Sequence, residues 1–225
     1  MTADRPEPPH DCAVCPRLVG YRTEIADAHP GWHGGPVPAF GDPEAWLLIV
    51  GLAPGKQGAH RTGRAFTGDA SGRLLFEMLR THGLSEGTFD NRPDDGLRLR
   101  GCMITNAVRC VPPANRPVGA EIAACRAFLR ARIATLPRLR AILCLGRIAH
   151  DAVLRALDLR PARHPFAHGA QHELDGLRLF DCYHCSRYNL NTRRLTPEMF
   201  GTVFETICQR LSTTDASTEQ PRLRV

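Results

Sequence analysis

Three stretches of this sequence hold the side chains best suited to chemistry, and each leaves an apolar run. The longest follows Trp46-Leu-Leu-Ile-Val50. It reads Gly51-Leu-Ala-Pro-Gly55-Lys-Gln-Gly-Ala-His60-Arg-Thr-Gly-Arg-Ala65-Phe-Thr-Gly-Asp69 and holds five glycines, one aromatic ring at Phe66 and one carboxylate at Asp69. Glycines such as Gly51 and Gly55 let a backbone approach a ligand closely. Phe66 offers a flat face for stacking on a ring. The second stretch is the run 101–106, which ends on Asn106; its amide can donate and accept at the edge of a base. The third is His184-Cys-Ser-Arg-Tyr-Asn189-Leu-Asn-Thr-Arg-Arg-Leu-Thr196. His184 could donate to an anion that develops on a substrate. Asp69 could orient water or balance a cation. Plainer roles stay open for each: Phe66 as loop core, Asn106 as a strand-end turn former, Asp69 as a helix N-cap, His184 as a structural hydrogen-bonder.

The Gly-rich stretch is not a nucleotide P-loop. That motif needs four residues between its first glycine and Gly-Lys, then Ser or Thr for magnesium. Here three residues separate Gly51 from Gly55, and Gln57 follows Lys56. Nine cysteines in a chain expected to lie in a reducing compartment point to metal ligands or core thiols rather than disulfides. Cys102, Cys144, Cys182 and Cys208 fall in apolar strand-like runs or on the last helix and read as core. Cys12, Cys15, Cys110 and Cys125 lie in or beside loops and helix ends. Their pattern is Cys-x2-Cys, then 94 residues, then Cys-x14-Cys. Four thiolates suit zinc or an iron–sulfur cluster, and spacing alone does not choose.

The chemistry needs a scaffold that gathers these stretches. Strands are predicted at 46–50, 101–106, 141–145 and 177–183, each a short apolar run bounded by turn residues. Helices are predicted from Cys15-Pro16 to about 29, and over 70–80, 118–135, 146–157 and 197–211. Alternation of strand and helix implies parallel strands. The expected fold is α/β, a three-layer α/β/α sandwich with a central four-stranded, mainly parallel sheet. In such sheets ligands bind outside the carboxyl ends of the strands. There the loop from Gly51, Asn106 and His184 would meet. Residues 10–211 read as a single domain, 1–9 as a mobile arm and 212–225 as a disordered tail.

Composition narrows the class. The chain has 225 residues, 43% of them hydrophobic and 23% charged, as in an ordinary soluble domain. No apolar run approaches a membrane span and no signal-like stretch opens the sequence, so the expectation is a monomer in the cytoplasm, off the membrane. The net charge is +6, and all but one of the 29 basic residues are arginine, the exception being Lys56. Guanidinium groups suit phosphate contacts; GC-rich coding would give the same bias.

Taken together, GLAPG…RTGRAFTGD, ITNAVRCVPPANRP and YHCSRYNLNTRRLT resemble the motifs of the family 5 uracil-DNA glycosylases of bacteria and archaea, relatives of the family 4 enzymes. The resemblance runs from Cys12 to about Thr196. It implies removal of uracil, and of some other damaged bases such as hypoxanthine or ethenocytosine, from DNA, without strand cleavage. It implies a [4Fe–4S] cluster held by Cys12, Cys15, Cys110 and Cys125. It implies substrate contacts from Gly51, Gly55, Phe66, Asn106 and Asn189, with Asp69 and His184 catalytic. Lys56 is then expected to face a phosphate or solvent. The sequence departs from the family pattern at Gln57 to His60, at Cys185, and at Arg193, where a glycine is usual. A rival expectation is a DNA-binding module of the same fold with weak or no catalysis.

Overall fold

A computed structural model describes residues 5–212. Its strands are β1 (Phe40–Gly41), β2 (Leu47–Gly51), β3 (Ser85–Glu86), β4 (Arg98–Leu99), β5 (Cys102–Asn106), β6 (Ala141–Leu145), β7 (Gln171–Leu174) and β8 (Leu177–Cys182). Its helices are α1 (Pro16–Ala28), α2 (Ala70–Thr81), α3 (Gly119–Ala134), α4 (Arg147–Ala156), α5 (Arg187–Asn191) and α6 (Pro197–Ser212). The main sheet runs β1-β5-β2-β6-β8-β7. Strands β5, β2, β6 and β8 are parallel, and every residue of β2, β5 and β6 is buried. Such strands are covered on both faces, which is why they read as unbroken apolar runs.

Alternation along β2 shows the two faces. Leu47 and Ile49 pack in a core with Leu75 and Leu79 of α2 and Phe200 and Phe204 of α6. Leu48 and Val50 pack in a second core with Leu129 and Ile133 of α3 and Ala152 and Val153 of α4. The three layers expected from the sequence are therefore present. The sheet has six strands rather than four, because antiparallel β1 and β7 close its two edges. β1 is two residues long, and only one of the four residues of β7 is buried, so neither forms an apolar run. β3 and β4 make a separate two-stranded ribbon between α2 and β5, a span for which the sequence predicts neither strand nor helix. The arm is not free where it is described: Glu7 pairs with buried Arg109 and with Arg132, and Pro6 accepts from Arg109. Of the expected tail, all but Ser212 lies outside the described residues.

Chain order creates the crevice. From β2 the chain passes through α2 to β5 on one side; from β5 it passes through α3 to β6 on the other side of β2. Loops leaving β2 and β6 therefore part toward opposite faces and leave room between them. The parallel register sets Gly51 level with Asn106 and Leu145 level with Cys182, so these strand ends lie along one edge.

The long loop after β2 is pinned by Arg64. Its guanidinium makes a two-pronged pair with Asp95, 2.7 Å on each side, and donates to Thr67 Oγ1 at 2.8 Å. It lies over Phe40, Phe76 and Phe89, 5.1–5.8 Å from the ring centroids. The side chains of Arg64 and Asp95 are almost fully buried. Hydrogen bonding from Arg64 holds the Asp95 carboxyl well below the usual carboxylate range, against burial; backbone N–H groups of Asp90 and Leu97 add to the effect. A depressed carboxyl contributes stability that is present above its unfolded pKa and is lost as pH falls through the folded one. Asp95→Ala should therefore cost about 3–5 kcal/mol at pH 7, the usual loss when a buried pair is broken. The gap to wild type should close only in acid below the ordinary carboxylate range of about 4. Urea unfolding at neutral and acid pH measures both.

Candidate active site

A cavity of about 350 Å³ opens where the strands end. Its wall includes Leu52 to Gly55 after β2, Phe66 and Asp69 of the long loop, Asn106 at the end of β5, Gly146 to Ala149 after β6, and His184 and Ser186 after β8. Four of the side chains expected to do chemistry thus line one space.

Phe66 is buried and sits at φ 55, the left-handed region that non-glycine residues avoid. The turn is held from several sides. Thr62 Oγ1 lies within 3.3 Å of the carbonyls of Gly58, Arg64 and Thr67, and Gly68 N–H donates to Asn91. Gly72 of α2 packs so tightly beneath Phe66 that a Cβ there would lie 1.9 Å from its carbonyl oxygen. The ring is stacked on His184 at 5.8 Å between centroids, 24° from parallel. Gly51 lies behind the slot rather than in its wall: a Cβ there would meet Asn106 Oδ1 at 2.5 Å and the Phe66 ring at 2.9 Å. Absence of a side chain at 51 lets the amide and the ring stand side by side.

Asp69 has two uses. Its Oδ1 accepts from Ser71 N–H at 2.9 Å and caps α2. Its Oδ2 lies over the glycines of the loop, where a Cβ on Gly55 or Gly58 would come within 3.0 or 2.2 Å of it. The cap and the cavity wall therefore share one carboxylate. His184 has its pKa lowered by burial, with the negative charge of Asp69 pulling the other way. The imidazole is accordingly neutral near pH 7, a donor without a charge of its own. Asn189 corrects an expectation. It is not in the wall; its Nδ2 donates to the carbonyl of His184 at 2.8 Å, and its own N–H is received by Ser186 Oγ, the cap of α5. It holds the backbone of His184 in place.

The departures from the motif pattern also find physical settings. Arg193 stands at φ 55, where glycine would be unstrained. Cys185 is fully buried, donates to Ser71 O, and has its thiol pushed up to about 12 by burial. His60 is fully buried outside the cavity wall, with burial pushing its pKa down to about 4. No sequence signal marked Arg64, Asp95 or Gly72 as the supports of the site.

Cys12, Cys15, Cys110 and Cys125 come together around one small cavity, packed with Leu18, Val108 and Phe128. Burial pushes Cys110 up to about 12 and Cys125 to about 11. Backbone N–H of Arg109 donates to Cys125 Sγ at 3.5 Å, and buried Arg22 holds the carbonyl of Cys12 at 2.7 Å. Four converging thiols are the donor set of a soft metal centre, whether zinc or iron–sulfur.

Comparison with known proteins places these features in a family. Residues 38–208 match the uracil DNA glycosylase superfamily. The chain is 48% identical over 195 residues to the type-5 uracil-DNA glycosylase of Thermus thermophilus, covering 84% of this chain and 89% of that one. It is 43% identical over 197 residues to the type-5 uracil-DNA glycosylase of Pyrobaculum aerophilum, covering 86% of each. A type-4 uracil-DNA glycosylase of Archaeoglobus fulgidus is 35% identical over 124 residues, 55% of this chain and 54% of its own.

The electrostatics of the cavity can be read directly. In an NMR pH titration His184 should protonate below the ordinary histidine value of about 6.5. Asp69→Asn should move its midpoint lower still, because the carboxylate is what raises it. A midpoint at or above the ordinary value would contradict the burial argument.

Proposed function

The chain belongs to the uracil DNA glycosylase superfamily, and we propose that it removes uracil from DNA by hydrolysing the N-glycosidic bond. One observation carries this reading: Phe66, Asn106, Asp69 and His184, from three different strand ends, line a single cavity. A base inside a duplex cannot reach such a cavity, so the nucleotide must swing out of the stack. The ring then lies on Phe66, and the Asn106 amide pairs with its edge. As the bond to the sugar breaks, positive charge grows on the sugar and negative charge on the departing base. Neutral His184 donates to the base carbonyl as that charge appears. Oδ2 of Asp69 orients the water that adds to the sugar and offsets the sugar's charge. Beside the cavity, Arg187 and Tyr188 of α5 are exposed, and Arg147 reaches its rim; guanidinium and phenol groups suit phosphates and bases.

Hypoxanthine and ethenocytosine are further substrates in this reading, since the amide and stacking face do not demand a uracil edge. The activity is monofunctional: Lys56, the only lysine, lies outside the cavity wall, so no side-chain amine there can form a Schiff base with the sugar. The setting is the cytoplasm, and among the described residues no helix is long and apolar enough to cross a membrane.

The four cysteines are read as the cradle of a [4Fe–4S] cluster, supported by the cavity they share. A cluster held there would supply a structural cross-link. The cysteines tie the segment before α1 to the chain after β5 and to α3, away from the reacting base.

Single-turnover release of free base from oligonucleotides carrying uracil, hypoxanthine or ethenocytosine tests the activity. Wild-type protein should release uracil. His184→Ala should slow it by about 10²–10³, the range for one lost transition-state donor, and Asn106→Ala should reorder the lesions. DNA binding with no base release would make the chain a binding module instead. Anaerobically purified protein should be brown and contain about four irons per chain. Cys12→Ala should lose iron and thermal stability, and stoichiometric zinc without iron would contradict the cluster.

A further inference from the structure

A second constellation lies behind the cavity wall and shares no residue with the four cysteines. His150 in α4, His172 in edge strand β7 and Asp181 in β8 converge so that one ligand atom from each lies within 4.8 Å of the others. His150 Nδ1 is 2.7 Å from Asp181 Oδ1, and His172 Nε2 is 3.3 Å from Asp181 Oδ2. His150 and Asp181 are fully buried. We propose that these three residues bind a divalent transition-metal ion, zinc by preference, as a structural site independent of the thiol quartet.

Donor arithmetic carries the argument. His150 Nε2 is 2.7 Å from the carbonyl oxygen of His164. A carbonyl only accepts, so Nε2 carries the hydrogen. Without a proton of its own, Nδ1 would present a lone pair to a carboxylate oxygen, another acceptor, only 2.7 Å away. Two acceptors at that separation need a cation between them, and a proton or a metal ion can fill the role. The carbonyl bond on the far nitrogen is the outer-shell contact that fixes the tautomer of metal-binding histidines. Asp181 offers its second oxygen toward another imidazole, so the nitrogens approach one carboxylate from two sides. Two imidazoles and a carboxylate match zinc rather than calcium or magnesium, which prefer all-oxygen shells. An ion about 2.0–2.1 Å from each ligand atom separates those atoms by roughly 3.3 Å, so the close pair must open slightly and the ion replaces the proton it shares. Water, or His164 with its ring centroid 5.5 Å from that of His172, can take the fourth position.

The site would staple three elements. Asp181 stands three residues before His184, and the first turn of α4 supplies Ile148 and Ala149 to the cavity wall. Zinc would stiffen this wall without touching the reacting base.

Equilibrium dialysis of the anaerobically purified, EDTA-washed protein against zinc tests the proposal, with metal content and melting temperature as readouts. Wild type should bind one zinc per chain more than His172→Ala, and zinc should raise the melting temperature of wild type alone. Losing one of three ligands should weaken binding by more than the roughly 10–100-fold that outer-shell changes cost. Cobalt added to wild type gives a readout that needs no variant: nitrogen and oxygen ligands give weak visible bands without thiolate-to-cobalt charge transfer. Equal zinc content in wild type and a folded His172→Ala, or a cobalt spectrum dominated by thiolate charge transfer, would overturn it.

Discussion

The buried cation of Arg64 fixes the site. A long Gly-rich loop has many conformations available, and ordering it costs conformational entropy. Here one guanidinium, paired with Asp95 and enclosed by three phenylalanine rings, anchors the middle of the loop to the segment before β4. Phe66 follows two residues later in a left-handed conformation, a strain of about 1–3 kcal/mol for a non-glycine residue. Such a conformation persists only when its surroundings over-determine it. Arg64, Thr62 and the close packing of Gly72 supply that determination. The stacking face is therefore in place before any base arrives, and binding energy is not spent on building it.

The same economy appears at Asp69 and His184. One oxygen of Asp69 is occupied as the cap of α2, which fixes the direction of the other. His184 is oriented through its backbone, where Asn189 holds its carbonyl, while burial keeps its imidazole uncharged. A neutral donor gains strength as negative charge grows on a leaving group, without binding an anion tightly beforehand. Both groups are positioned by contacts that lie outside the reacting atoms.

Much of this was legible in the sequence. The four parallel strands were visible because strands buried on both faces leave unbroken apolar runs, and the converging residues because each stood at the end of such a run. What escaped had weaker local signals. β1 is two residues long. β7 alternates exposed and partly buried residues, although Leu174-Asp-Gly-Leu177 is a two-residue hairpin signal, and Gly176 does adopt a positive φ. Asn189 carries the right chemistry for a substrate contact but turns back on its own chain. Asp95 lies 31 residues from Arg64 within a segment rich in Asp, Gly and Pro, and no periodicity links the two. Arg193 shows the reverse case: a departure in sequence that the backbone explains, since its left-handed position is one that glycine fills without strain.

The most direct test of a preformed, base-reading cavity is a crystal structure of the protein with free uracil bound. The ring should lie flat on Phe66, with its edge within hydrogen-bonding distance of the Asn106 amide and a carbonyl facing His184, while residues 51–69 keep their present path. Uracil bound elsewhere, or a loop that must refold to admit it, would contradict the account.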